Sequence, residues 1–189
     1  MKNCILAFIF CLPLAALAQV TQGNLFIGGD VSFASTSYSA GGHSSSVYIG
    51  PQVGYFITNK SALGGGIVYR NTDDGQNSHS LDFDFFHRLY IPITEKFYFN
   101  LHSSVYAGFG KINNGGNPDT DTSDAGVYTR PGFTFFPSRH WGFDAYIGRF
   151  GIDHVSNKPD VSGATTTSST SVSLNAGTVT LGVYYYFNK

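Results

Sequence analysis

Cysteine is nearly absent from this 189-residue chain. Its two cysteines, Cys4 and Cys11, both lie within the first 18 residues, which carry the features of a secretory signal peptide. Once that segment is removed, the chain has no thiol, and this excludes disulfide bonds and thiolate metal sites. The mature chain is therefore expected to fold without covalent cross-links.

Long apolar runs and blocks of like charge are also missing. After residue 18 no stretch reaches the roughly 20 apolar residues of a membrane-spanning helix, which excludes helical spans. Without Lys2, ten basic residues stand against twelve acidic ones and form no basic cluster, so nucleic acid is not expected as a partner. The six histidines lack metal-ligand spacing, and we expect neither a metal nor another cofactor.

The first residues predict export. A basic start at Met1-Lys2-Asn3 precedes an apolar run from Ile5 to Leu17, and Ala16-Leu17-Ala18 is a small-x-small cleavage signal. The alternative, a membrane anchor, needs a longer run of about 20 apolar residues. We therefore interpret residues 1–18 as a cleaved signal peptide and residues 19–189 as one domain.

What the chain does contain is a repeated alternation of apolar and polar residues. Eight alternating runs lie near residues 24–34, 46–57, 61–71, 80–92, 95–111, 124–136, 139–152 and 172–187. The connections alternate between short ones near 57–61, 92–95 and 136–139 and long polar ones at 35–45, 72–79, 112–123 and 153–171. Short periplasmic turns and long external loops are typical of outer-membrane barrels. The pattern predicts an all-β fold, an eight-stranded antiparallel up-and-down transmembrane β-barrel, with both termini periplasmic.

Nearly all charges within these runs share one parity, opposite to that of the apolar and aromatic residues. Hydrocarbon outside a barrel reverses the usual pattern, so these charges are expected to face the lumen. They are Asp30, Asp82, Asp84, Arg88, Arg130 and Asp144. Because side chains can fill an eight-stranded barrel, we predict an ion-pair network that plugs the lumen, the alternative being an ion path.

Two residues depart from this pattern. Arg149 has outward parity, which snorkelling to the membrane interface would explain. His87 also has outward parity, deeper in its strand, where a bulge or a neutral imidazole would accommodate it.

One short motif could carry chemistry. His154-Val155-Ser156-Asn157 resembles the His-x-Ser-Asn motif of lipid A deacylases, which are small outer-membrane barrels. The resemblance implies His154 as base, Ser156 as nucleophile and Asn157 as oxyanion donor. No Asp or Glu follows between Val161 and Lys189, so the acid that orients the histidine in that family is missing. The alternative is that these are ordinary loop residues.

The mature chain as a whole resembles the OmpA/OmpX-like small barrels of Gram-negative outer membranes. The resemblance rests on Gly-x-x-x-Gly-Tyr-Phe at 50–56, on the turn Thr58-Asn59-Lys60-Ser61-Ala62-Leu63, and on the terminal run Leu181-Gly182-Val183-Tyr184-Tyr185-Tyr186-Phe187. It implies an outer-membrane location among lipids, recognition of the last strand, ending at Phe187, by the barrel-assembly machinery, and a non-enzymatic role. That role would lie in envelope structure or in surface interaction, through an unidentified ligand of the external loops.

We predict that the mature protein begins at Gln19, fractionates with the outer membrane and migrates differently on gels before and after boiling, because a closed barrel resists detergent until heated. Intact-mass analysis and membrane fractionation measure these properties. Retention of residues 1–18 would contradict the export prediction, and a soluble cytoplasmic protein would contradict the fold.

Overall fold

The structure is a computed structural model that describes residues 20–37 and 43–188. The predicted signal peptide, residues 1–18, lies outside the described residues. No helix among the described residues is long and apolar enough to cross a membrane.

In the described part of the chain, eight antiparallel strands form a closed barrel, which confirms the predicted fold class. Each strand pairs with its neighbours in sequence, and β1 pairs with β8 to close the ring. The strands are β1 (Leu25–Ser37), β2 (His43–Thr58), β3 (Ser61–Asp73), β4 (Asn77–Pro92), β5 (Phe97–Asn113), β6 (Thr120–Phe135), β7 (Trp141–Pro159) and β8 (Thr167–Phe187). We call the end that holds connections 59–60, 93–96 and 136–140 the turn end, and the end that holds 74–76, 114–119 and 160–166 the loop end.

The connections at the loop end are shorter than the sequence predicts. The predicted loop 153–171 is wrong, because β7 continues to Pro159 and β8 already begins at Thr167. The predicted loops 35–45, 72–79 and 112–123 are likewise shortened by strand residues at both ends. Serine, threonine and asparagine suggest loops by composition, but an antiparallel pair is held by backbone hydrogen bonds, and threonine favours strands. The loop end is therefore built of extended hairpins.

The outward side chains form an apolar band and the inward ones do not. Phe85, Ile147 and Leu181 are 57%, 51% and 54% exposed, respectively, although they lie in the middle of their strands. Along the same strands, outward apolar residues alternate with buried polar residues such as Asp84 and Asp144. This is the arrangement that the alternation predicts for a barrel surrounded by lipid.

The turn end of the lumen is filled by apolar and aromatic side chains. This aromatic cluster consists of Val20, Phe26, Phe56, Ala62, Phe86, Tyr90, Tyr98, Phe136, Tyr184 and Tyr186. The rings of Phe26 and Phe56 lie 5.6 Å apart between centroids, and Val20, which precedes β1, is 2% exposed. The alternation predicts a polar lumen and does not predict these inward phenylalanines.

A bulge at Gly148 reverses the parity of β7. The register with β6 shifts between Thr129 and Gly132, and the register with β8 shifts between Ile147 and Arg149. Gly148 has a φ of +74°, a backbone conformation that favours glycine. As a result Arg149 faces the lumen, with its guanidinium carbon 4.7 Å from the centroid of the Tyr128 ring. The predicted outward, snorkelling orientation of Arg149 is wrong, because parity counts residues and a bulge inserts one.

We predict that Gly148→Ala destabilises the barrel by about 1–3 kcal/mol, because a side chain at positive φ is strained. The new Cβ would also lie 2.5 Å from the backbone oxygen of Asn175. Urea unfolding of the protein in detergent micelles measures the loss. The matched control is Gly177→Ala on the facing strand, where a Cβ would meet only the Asn175 side chain at 3.9 Å. Equal stability of the two variants would contradict the role of the bulge.

Candidate functional site

All six charges that the alternation assigns to the lumen lie inside the barrel. All are buried, with at most 7% of the residue exposed: Asp30, Asp82, Asp84, Arg88, Arg130 and Asp144. The strands that carry them are β1, β4, β6 and β7, so their side chains converge from different sides of the ring. Asp30, Arg88, Arg130 and Asp144 lie together in the middle of the lumen. Asp82 and Asp84 lie nearer the loop end.

Arg88 lies at the centre of the lumen and is fully buried. Its Nη1 donates to Asp144 Oδ2 at 2.8 Å, and its Nη2 donates to Gln52 Oε1 and to the Tyr184 hydroxyl, each at 3.0 Å. The guanidinium carbon also lies 4.6 Å from the centroid of the Tyr184 ring. One carboxylate and several neutral acceptors therefore compensate a charge that has no contact with solvent.

A second ion pair joins Arg130 to Asp30. Arg130 Nη2 donates to Asp30 Oδ2, and the Arg130 guanidinium carbon lies 4.2 Å from the centroid of the Tyr146 ring. The Tyr184 hydroxyl donates to Asp30 Oδ1 at 2.5 Å, and Gln52 Nε2 donates to Asp30 Oδ2 at 3.3 Å. Because Tyr184 and Gln52 also contact Arg88, they join the two ion pairs. We call these residues the central network: Asp30, Gln52, Arg88, Arg130, Asp144 and Tyr184.

The other two predicted residues lie outside the central network. Asp82 pairs with Arg70 at 3.2 Å, and Asp84 Oδ2 accepts a hydrogen bond from the Ser104 hydroxyl at 3.3 Å. Arg70 is not among the residues predicted for the lumen, although its position in the alternation of β3 assigns it to the inward face. The pair of Arg149 with Asp153 is also missing from the predicted residues. The alternation places both residues on the outer face, and only the bulge at Gly148 turns them inward.

The motif that carries the alternative, deacylase-like interpretation does not form a dyad of His154 and Ser156. His154 Nδ1 lies 2.9 Å from Thr170 Oγ1, and Ser156 Oγ lies 2.5 Å from Ser168 Oγ, so each residue hydrogen-bonds to β8 and not to the other. Asn157 has the opposite parity on the strand and lines the lumen. The neighbouring acid, Asp153, faces inward and pairs with Arg149. No three His, Cys, Asp or Glu side chains within residues 20–37 and 43–188 are grouped to hold a metal ion.

Residues 4–187 match the model of the outer membrane protein beta-barrel domain family. The chain belongs to this family. The match spans every strand of the barrel, and the family indicates a location in the bacterial outer membrane. No curated protein sequence matches the chain.

Solved structures of small outer-membrane barrels share the fold. OprG from Pseudomonas aeruginosa is 14% identical, with a TM-score of 0.54, over 92% of this chain and 100% of that one. Neisserial surface protein A is also 14% identical, with a TM-score of 0.54, over 87% of this chain and 99% of that one. AlkL in lipid bilayers is 10% identical, with a TM-score of 0.53, over 89% and 92% of the two chains. At such low identity, these likenesses show the fold alone.

Two pairs of polar side chains on the outer face of this outer-membrane barrel hydrogen-bond to each other across neighbouring strands. His87 Nε2 hydrogen-bonds to Ser61 Oγ, and Ser103 Oγ lies 3.1 Å from Thr129 Oγ1. Hydrogen bonds of this kind satisfy polar groups that hydrocarbon cannot solvate. The outward orientation of His87 is thus explained by a partner on the neighbouring strand and requires no bulge.

We predict that Arg88→Ala lowers the free energy of unfolding by about 3–5 kcal/mol, because it leaves the buried carboxylate of Asp144 without its cation. Urea unfolding in detergent micelles measures the loss. Arg139→Ala, in an exposed turn, is the matched control and should change stability by less than about 0.5 kcal/mol.

A double variant, Arg88→Met with Asp144→Leu, tests the cause. It removes both charges and should recover part of the loss, since a buried ion pair can be replaced by apolar residues of similar volume. Equal stability of Arg88→Ala and Arg139→Ala would contradict the structural importance of the central network.

Proposed function

We propose that this outer-membrane barrel is a non-enzymatic protein with a plugged polar lumen, which serves envelope structure or surface interaction through its loop end. The observation that carries the proposal is the central network. Arg88 on β4 contacts Asp144 on β7, Gln52 on β2 and Tyr184 on β8, so its hydrogen bonds cross the lumen in several directions.

The aromatic cluster supports the same conclusion from the turn end. Phe26, Phe56, Phe86 and Phe136 are fully buried, and the rings of Phe26 and Phe86 each lie 5.3 Å from the guanidinium carbon of Arg88. A hydrated ion that crossed the barrel would have to displace both a paired charge and this apolar layer. The interior of an eight-stranded barrel leaves little room beside such side chains.

The loop end offers the surface for interaction. We place it outside the cell and both termini in the periplasm, because outer-membrane barrels combine short periplasmic turns with longer external segments. β1 pairs with β8 only as far as Val31 and Leu181, so residues Thr167–Thr180 of β8 pair only with β7 among the described strands. This stretch contains no charged residue and no proline, the residues that usually prevent an unpaired strand edge from pairing with another chain.

Two further partners belong to the proposal. Outer-membrane lipids surround the apolar band, and the barrel-assembly machinery recognises the last strand, which ends at Phe187. Phe187 is 50% exposed, and its ring centroid lies 5.1 Å from that of Tyr185, so the last strand presents adjoining aromatic rings on its outer face.

We predict that the purified protein adds no steady ion current to a planar lipid bilayer, because the central network and the aromatic cluster together close the lumen. A conducting porin inserted in the same bilayers is the positive control, and recovery of folded barrel from the membrane verifies insertion. Reproducible single-channel steps from the wild-type protein would contradict a plugged lumen and support the ion path.

A further inference from the structure

Between the central network and the loop end the lumen widens into a cavity of about 290 Å³. We call this cavity the cup. Its walls include Tyr48, Asp82, Asp84, Tyr106, Tyr128 and Arg130. The proposed plug lies below it, so a molecule in the cup would enter and leave at the loop end.

The arginines of the lumen pair one-to-one with aspartates. The pairs are Arg70 with Asp82, Arg88 with Asp144, Arg130 with Asp30, and Arg149 with Asp153.

Two further inward aspartates, Asp84 in the cup and Asp124 above it, have no cationic side chain within ion-pairing distance among the described residues. The upper lumen therefore carries an excess of negative charge.

Several acceptor oxygens in this region have no hydrogen-bond partner. They are Asp82 Oδ1, Asp84 Oδ1, Asp124 Oδ1 and the Tyr48 hydroxyl, all buried atoms of the described residues. Asp82 and Asp84 are 2% and 7% exposed, and both line the cup. Buried acceptors are normally paired, so a group of unpaired ones indicates that something else supplies the donors.

Glycines on the neighbouring strands make room for these oxygens. Asp84 Oδ1 lies over Gly66, at 2.6 Å from the position that a Cβ would take there. Asp82 Oδ1 and Asp124 Oδ1 both lie over Gly108, which brings two carboxylates towards the same point. Any larger residue at either glycine would displace a carboxylate, so the two glycines provide the space that these buried oxygens occupy.

We propose that the cup binds a small organic cation bearing ammonium or guanidinium groups, with Asp84 as its counter-ion. Arg70, Arg130 and Arg149 also line the cup, but each is paired with an aspartate. An ammonium or guanidinium group would supply the charge and the N–H donors that Asp84 does not receive from them. The ring of Tyr48 adds an aromatic surface of the kind that attracts cations, and the rings of Tyr106 and Tyr128 already hold the guanidinium of Arg149 in this way. An inorganic divalent cation fits less well, because the described residues offer no cluster of three metal ligands.

Calorimetric titration of the folded protein in detergent micelles at low salt tests the proposal. The probes are 1,4-diaminobutane and methylguanidinium, with the neutral molecules 1,4-butanediol and methylurea as matched ligands and Mg²⁺ as the inorganic cation. We expect saturable binding of at least one organic cation and none of the neutral molecules. Asp84→Asn should weaken that binding at least tenfold, because it keeps the shape of the side chain and removes its charge.

The control variant is Asp121→Asn, because Asp121 lies on the outer face and pairs with Lys111 at 3.6 Å. It should leave the affinity unchanged. Migration on gels before and after boiling verifies that each variant is folded, and Asp124→Asn replaces Asp84→Asn if the latter does not fold. Absence of cation binding, equal binding of the neutral molecules, unchanged affinity in the aspartate variants, or binding of Mg²⁺ alone would each overturn the proposal.

Discussion

The buried guanidinium of Arg88 is the interaction around which the interior of this barrel is organised. A charge without solvent contact must be matched by a carboxylate and by hydrogen-bond acceptors, and Asp144, Gln52 and Tyr184 supply these from three other strands. Their positions in turn set the register of the strands that carry them. A one-residue slip of any of these strands would move its inward residues to the lipid face.

The two halves of the lumen on either side of Arg88 differ in their side chains. The guanidinium lies 5.3 Å from the ring centroids of both Phe26 and Phe86, which belong to the aromatic cluster. Towards the loop end the arginines stop matching the acids one-to-one, and Asp84 and Asp124 have no cationic partner within the part of the chain that the structure describes. One half of the lumen thus holds closely packed side chains, whereas the other half contains the cup and several acceptors that are unpaired among the described residues.

Gly148 determines the shape of the open half. Without its positive φ, β7 would keep its parity, and Arg149 and Asp153 would point towards lipid, where a charged pair is costly. The bulge brings both into the lumen and leaves Phe150 and Ile152 on the outer face. A single backbone irregularity therefore preserves the apolar band outside while it completes the polar wall inside.

The order of residues along the chain is enough to predict a barrel of eight strands and to assign six charges to its lumen: Asp30, Asp82, Asp84, Arg88, Arg130 and Asp144. It could do so because apolar and polar residues alternate with the period of a strand, and because lipid outside inverts the usual pattern. The positions at which strands end near the loop end could not be predicted from the alternation. Segments rich in Ser and Thr, such as 153–171, form a strand where a neighbouring strand pairs with them and a loop where none does. Three features follow only from tertiary contacts: the side of the barrel on which Arg149 lies, the partner of each arginine, and which two inward aspartates have no cationic partner among the described residues. These depend on the register between strands and on the bulge at Gly148, which arise from contacts between residues far apart in the chain.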